Sequence, residues 1–183
     1  CEAMLALCHR PYELVDMDPK IDAQAKERLR KINPLAEVPT LVLPDGRVMT
    51  ESAAIAVFLA DLCPGKELSP NATDPRRAKF LRWMSFLSAN NYMTALRIYY
   101  PQRYTNDPDG AAAVKAAALT RSAFEWGVFA SAIDEGPFIL GETASAVDIY
   151  ASMLISWDDD IDSLFLNLPH LRQLFEGVAS LPG

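Results

Sequence analysis

Histidine and cysteine are scarce in this chain, with two of the first and three of the second among 183 residues. His9 and His170 stand far apart with no partner at metal-ligand spacing, so no metal is expected. Cys1, Cys8 and Cys63 are odd in number and form no C-x-x-C pair. That pattern argues against a disulfide scaffold and for a reduced, cytoplasmic protein in which Cys8 and Cys63 serve as small core residues. A basic surplus is also lacking: 17 lysines and arginines against 24 acids leave a formal charge of −7. Nucleic acid is therefore excluded as a main partner, because phosphate binding needs a basic face. No apolar run approaches the ~20 residues required to cross a bilayer, so no membrane association is expected. The run Asp158-Asp159-Asp160-Ile161-Asp162 lacks the glycine and terminal glutamate of a calcium loop and reads as a solvated helix end. Methionine is missing from position 1, where Cys1 opens what reads as a helix already under way, so a preceding segment is expected.

What is present is a chain that is 50% apolar, enough for one large domain or two small ones. EAMLALC (2–8) favours a helix, PYELVDMD (11–18) alternates weakly and predicts a short strand, and residues 21–32 predict a helix. That second helix carries Ile21, Ala25, Leu29 and Ile32 on one stripe and stops at Asn33-Pro34. Two strands, PTLVL and RVMT, flank Pro44-Asp45-Gly46, whose proline sets φ and whose glycine accepts φ > 0, as a hairpin turn demands. Ser52 is expected to cap a helix that closes at Cys63-Pro64-Gly65. After the polar, proline-containing KELSPNATDP, no strand is predicted. Long helical stretches follow, with Phe80, Met84 and Leu87 on one face and Ala117, Phe124 and Val128 on another. The organisation is α/β plus all-α: residues 1–65, a linker at 66–74, and an all-helical domain at 75–183. A strand before residue 1 would complete a thioredoxin-like β-α-β-α-β-β-α unit in the first domain.

The stretch EVPTLVLPDGRVMTESA (37–53) puts a proline at the start of a strand. In the trans form, Val38-Pro39 is an ordinary edge position. In the cis form, it turns the Val38 N–H and C=O outward, free to pair with an extended peptide ligand. Both readings stand on these residues alone. Ser52 opens a helix, where free N–H groups and the dipole suit a carboxylate, and Glu51 beside it suits an ammonium group. The pair matches both ends of an α-amino acid headgroup. It also matches a plain N-cap with a dipole-friendly acid.

INPLAEVPTLVLPDGRVMTESAAIAVFLADL resembles the signature stretch of cytosolic-type glutathione S-transferases, with its Asn-Pro, Val-cis-Pro, hairpin and Glu-Ser at the third helix. The thioredoxin-like and all-helical layout fits the same family. The resemblance implies that Val38 binds the cysteinyl backbone of glutathione, that Pro39 holds that geometry, and that Glu51 and Ser52 take the γ-glutamyl headgroup. It implies conjugation of the glutathione thiolate to small hydrophobic electrophiles, in detoxification, by a homodimer with no cofactor beyond glutathione as co-substrate. The family's thiol-activating Tyr, Ser or Cys falls just before residue 1, with Cys1 as a weak candidate. A glutathione-dependent reductase or dehalogenase of the Cys type and a non-catalytic ligand-binding or assembly module are the alternatives. Tyr92 and Tyr99 sit where the family's electrophile pocket borders the first long helix, although core packing is the favoured reading of aromatics there. Glutathione transferases also carry a box like Ser145-Ala-Val-Asp148, which is by chemistry a capping box and so structural. Lys26, Arg28, Arg30 and Lys31 read as a solvated face, with no role assigned.

Overall fold

In a computed structural model, residues 1–16, 22–63 and 67–181 are described. The first part runs α1 (Glu2–Leu7), α2 (Ala23–Arg30), β1 (Leu41–Val42), β2 (Val48–Met49) and α3 (Ser52–Asp61). Asp22 caps α2 by accepting the Gln24 N–H at 2.8 Å. Ala25 and Leu29 of the predicted stripe are buried, but Ile32 is 42% exposed beyond the helix end, and Ile21 lies outside the described residues. β1 and β2 pair antiparallel, with Leu41 opposite Met49 and Val42 opposite Val48. Gly46 takes φ 83° at the turn, and Asp45 fixes its far side by accepting the Arg47 N–H at 3.0 Å.

The predicted strand at 11–18 is not formed over its described part. Among the described residues, 11–16 have no ladder partner, and Tyr12, Leu14 and Val15 are exposed. A strand exists only through pairing, so alternation without a neighbour leaves extended, solvated chain. Residues 17 and 18 lie outside the described residues.

The rest is helical: α4 (Arg77–Phe86), a π-helical turn (Leu87–Tyr92), α5 (Met93–Tyr99), a 3₁₀ turn (Pro101–Arg103), α6 (Ala111–Ala130), α7 (Ala146–Ile155), α8 (Ile161–Asn167) and α9 (Pro169–Ala179). The first of the expected long helical stretches is thus two α-helices joined by a widened turn. Phe80, Met84 and Leu87 are buried as expected. Of the face expected on α6, only Val128 packs against the core, half-buried. Ala117 is exposed and Phe124 is 60% exposed under the Arg121 guanidinium, while Ala118, Trp126 and Phe129 face inward. Alanine on every side of AAAVKAAALT weakens the periodic signal, so the sequence pattern leaves the helix's rotation open.

One hydrophobic core joins the two parts, from Met4 and Leu7 through Ile55 and Leu59 to Trp83 and Val147. Trp83 meets Phe86 and Phe129 edge-on at 5.1 and 5.3 Å. At the surface, Arg77 clamps the end of α3, donating to both oxygens of Asp61 at 2.7 and 3.0 Å and to Ser69. Cys8 and Cys63 are buried as expected, but they are joined in a disulfide rather than standing as separate thiols. The ends of α1 and α3 converge to a Cα separation of 5.0 Å, inside the range a disulfide spans, a proximity that spacing along the chain does not reveal.

Candidate functional site

Asn33, 4% exposed, organises the loop that carries Val38. Its Nδ2 donates to the Glu37 carbonyl at 2.9 Å and to Thr40 Oγ1 at 3.1 Å, and its Oδ1 accepts the Leu35 N–H. The Val38–Pro39 bond is cis. Val38 is 54% exposed, and among the described residues its backbone N–H and C=O make no hydrogen bond.

The hairpin's register brings the second half of the site alongside. The ladder ends with Leu41 opposite Met49, so Pro39 and Glu51, each two residues further along the chain, leave the hairpin at the same end. Glu51 is exposed and holds φ 67°, a left-handed conformation that costs a non-glycine residue. It is the N-cap of α3, and Ser52 is the first helical residue. Ser52 therefore does not cap the helix with its side chain. Its hydroxyl instead lies 2.8 Å from the Tyr150 hydroxyl on α7, across the junction with the helical part. Among the described residues no side chain caps the first N–H groups of the ten-residue α3, which lie beside an exposed carboxylate and a half-buried hydroxyl. Burial pushes the Tyr150 phenol above its ordinary value, against the hydrogen bonds from Ser52 and Ser88. It stays neutral, able to donate or accept. Tyr150 carries no signal in the sequence, because its partner is 98 residues away.

The other expected residues are dispersed. Cys1 is exposed with a free thiol at the N-cap of the short α1. Tyr92 is half-buried and packs edge-on against Trp157 at 5.3 Å, as core aromatics do. Tyr99 lines a cavity of about 430 Å³ between α5, α6 and α8. Its hydroxyl donates to Asp159 at 3.3 Å, and burial, with Asp159 and Asp158 nearby, raises its pKa. Asp158, Asp159 and Asp160, expected at a solvated helix end, also border that cavity, and Asp160 caps α8 through the Ser163 N–H. Ser145 and Asp148 form the expected capping box at the start of α7. Among the described residues, no group of three histidines, cysteines or acids could hold a metal, and no helix is long and apolar enough to cross a membrane.

Residues 1–62 match the family model for the glutathione S-transferase N-terminal domain. The GST-like protein YncG of Escherichia coli strain K12 is 30% identical over 182 residues, covering 99% of this chain and 87% of that one. A glutathione S-transferase structure from Pseudomonas fluorescens superposes with a TM-score of 0.81 at 26% identity, over 99% of this chain and 88% of that one. A sphingomonad glutathione S-transferase complexed with glutathione shares the fold at 23% identity and a TM-score of 0.82, over 98% of this chain and 87% of that one. A thioredoxin-like N-terminal part followed by a helical domain is the architecture these proteins share with it. The chain belongs to the glutathione S-transferase family.

Proposed function

We propose that this protein binds glutathione at the hairpin's open end and conjugates its thiolate to small hydrophobic electrophiles. What supports this reading is that Val38, unpaired among the described residues, and Glu51-Ser52 at the N-terminus of α3 both leave the hairpin at the same end, just beyond the Leu41–Met49 pair. An extended peptide can satisfy the Val38 N–H and C=O as a strand neighbour would. The α-carboxylate of its γ-glutamyl end meets the Ser52 hydroxyl and the first N–H groups of α3, where the helix dipole favours an anion. The ammonium of the same headgroup meets Glu51. With both ends of the tripeptide's glutamyl unit held, the cysteinyl thiol is fixed against the electrophile, and positioning supplies a large share of the rate. With an aryl halide, the thiol loses its proton, the sulfur–carbon bond forms and halide leaves with the bonding pair. The reading adds a soluble homodimer in the cytoplasm.

Calorimetry with glutathione on the intact chain, followed by turnover of an aryl halide, tests this. Glu51→Gln and Ser52→Ala should each weaken glutathione about tenfold or more, the usual loss of a hydrogen bond to a charged group. Unchanged affinity in both variants would overturn the assignment.

A further inference from the structure

A serine that caps a helix spends its oxygen on the N–H groups two or three residues on. Ser52 is instead the first residue of α3, and its hydroxyl meets the Tyr150 hydroxyl at 2.8 Å. Tyr150 belongs to the helical part and is 5% exposed on α7. Behind it lies Ser88, half-buried in the π-helical turn between α4 and α5, which hydrogen-bonds to the same phenol. Three hydroxyls therefore stand in a row, from the π-helical turn to the N-terminus of α3.

The protons in that row can be counted. Each hydroxyl has one proton to give and lone pairs to accept with. Two bonds hold the row together, so two protons are used within it and one is left over. If Ser52 donates to Tyr150 and Tyr150 to Ser88, the spare proton sits on Ser88, which makes no further side-chain hydrogen bond among the described residues. An unmatched donor in that half-buried place is costly. Run the other way, Ser88 donates to Tyr150 and Tyr150 to Ser52, and the spare proton emerges on Ser52 beside the first N–H groups of α3. An oxyanion there accepts it in a charge-assisted bond, and each hydroxyl strengthens the next.

We propose that Tyr150 and Ser88 are positioning residues for glutathione, holding the Ser52 hydroxyl as a donor toward the γ-glutamyl carboxylate. The inference rests on the glutathione reading and deepens it. Val38, Pro39, Glu51 and Ser52 all lie in the first part of the chain, whereas these two residues place control of that subsite in the helical part.

Calorimetry with glutathione on intact single and double variants tests this, because a residue that acts through another loses its effect once that other is gone. Tyr150→Phe should weaken glutathione several-fold in the parent chain, and less than about twofold in the Ser52→Ala background. Ser88→Ala should weaken it about twofold to threefold in the parent and leave the Ser52→Ala chain unchanged. Ser88→Ala removes only one half-buried hydroxyl, so it keeps the test decisive if Tyr150→Phe does not fold. A general structural role would weaken glutathione equally with and without the Ser52 hydroxyl. Equal losses in the two backgrounds, or no loss in the parent, would overturn the proposal. Glu51→Gln, titrated alongside, reports on the reading beneath it. If neither Glu51→Gln nor Ser52→Ala changes the affinity, the glutathione site is misplaced and this inference falls with it. If both weaken binding while Tyr150→Phe and Ser88→Ala do not, this inference alone falls.

Discussion

Replacing Asp148 by alanine should cost the fold heavily and glutathione binding little. Asp148 is fully buried, and its carboxylate accepts three hydrogen bonds: from the Ile139 N–H at 2.8 Å, the Ser145 N–H at 2.8 Å and the Ser145 hydroxyl at 2.7 Å. Truncation leaves two backbone donors unpaired and removes half of the capping box, a loss of about 3–5 kcal/mol. For a chain of this size that lowers the Tm by roughly 10 °C. Burial pushes the Asp148 carboxyl above the usual carboxylate range, outweighing the three bonds that pull it down. The folded chain therefore keeps this proton at pH values where the unfolded chain has released it, so stability falls as pH rises between the two values. Asp148→Ala should remove that slope along with the stability. Thermal melts across pH and calorimetry with glutathione at a temperature well below the melt check both halves. An unchanged Tm, or lost affinity in a variant that melts like the parent, would refute the reasoning.

Tyr150→Phe deletes the hydroxyl that faces Ser52, and should reduce glutathione affinity several-fold, less than Ser52→Ala does, with a loss of about 1 kcal/mol in stability. Parallel melts and titrations of the two variants read this directly, and a Tyr150→Phe effect larger than that of Ser52→Ala would reverse the order of roles. Cys63→Ser opens the loop closed by the disulfide, whose ends are 55 residues apart, and should cost about 4 kcal/mol in the chain-entropy account. Dithiothreitol should lower the Tm of the unaltered chain by a similar amount, and equal melts with and without reductant would show that the bond adds no stability.

Features decided within a few residues were legible in the sequence. Pro44-Asp45-Gly46 marks the hairpin because its residues dictate the backbone they need, and Ser145-Ala-Val-Asp148 marks a helix start for the same reason. The features that escaped depend on distant partners. Residues 11–16 alternate like a strand yet find no strand to pair with, and α6 turns a different face inward because its alanines distinguish the sides poorly. Ser52 reads as a cap until Tyr150, from another part of the fold, takes its hydroxyl. Asn91 looks like any polar helix residue, and only its burial without a partner sets it apart.

The expectation that Asp148 serves the fold and not the ligand needs a physical reason, because Tyr150 lies two residues further along the same helix. A loosened cap transmits to Tyr150 only if the cap is what holds α7 in place. It is not alone in doing so. Val147, Ala151 and Ile155 are completely buried, and Leu154 nearly so, which fixes α7 along its length against α3, α4 and α9. Each of those contacts must break before the helix can move, whereas the cap's three bonds can be lost with only the first turn disturbed. Tyr150 itself is 5% exposed and is gripped by that same packing. The cap therefore sets how much free energy separates folded from unfolded chain, while the buried face of α7 sets where the Tyr150 hydroxyl sits in the folded one. Stability and the placement of the hydroxyl that faces Ser52 are carried by different atoms of one helix, which is why a single substitution is expected to lower the first and spare the second.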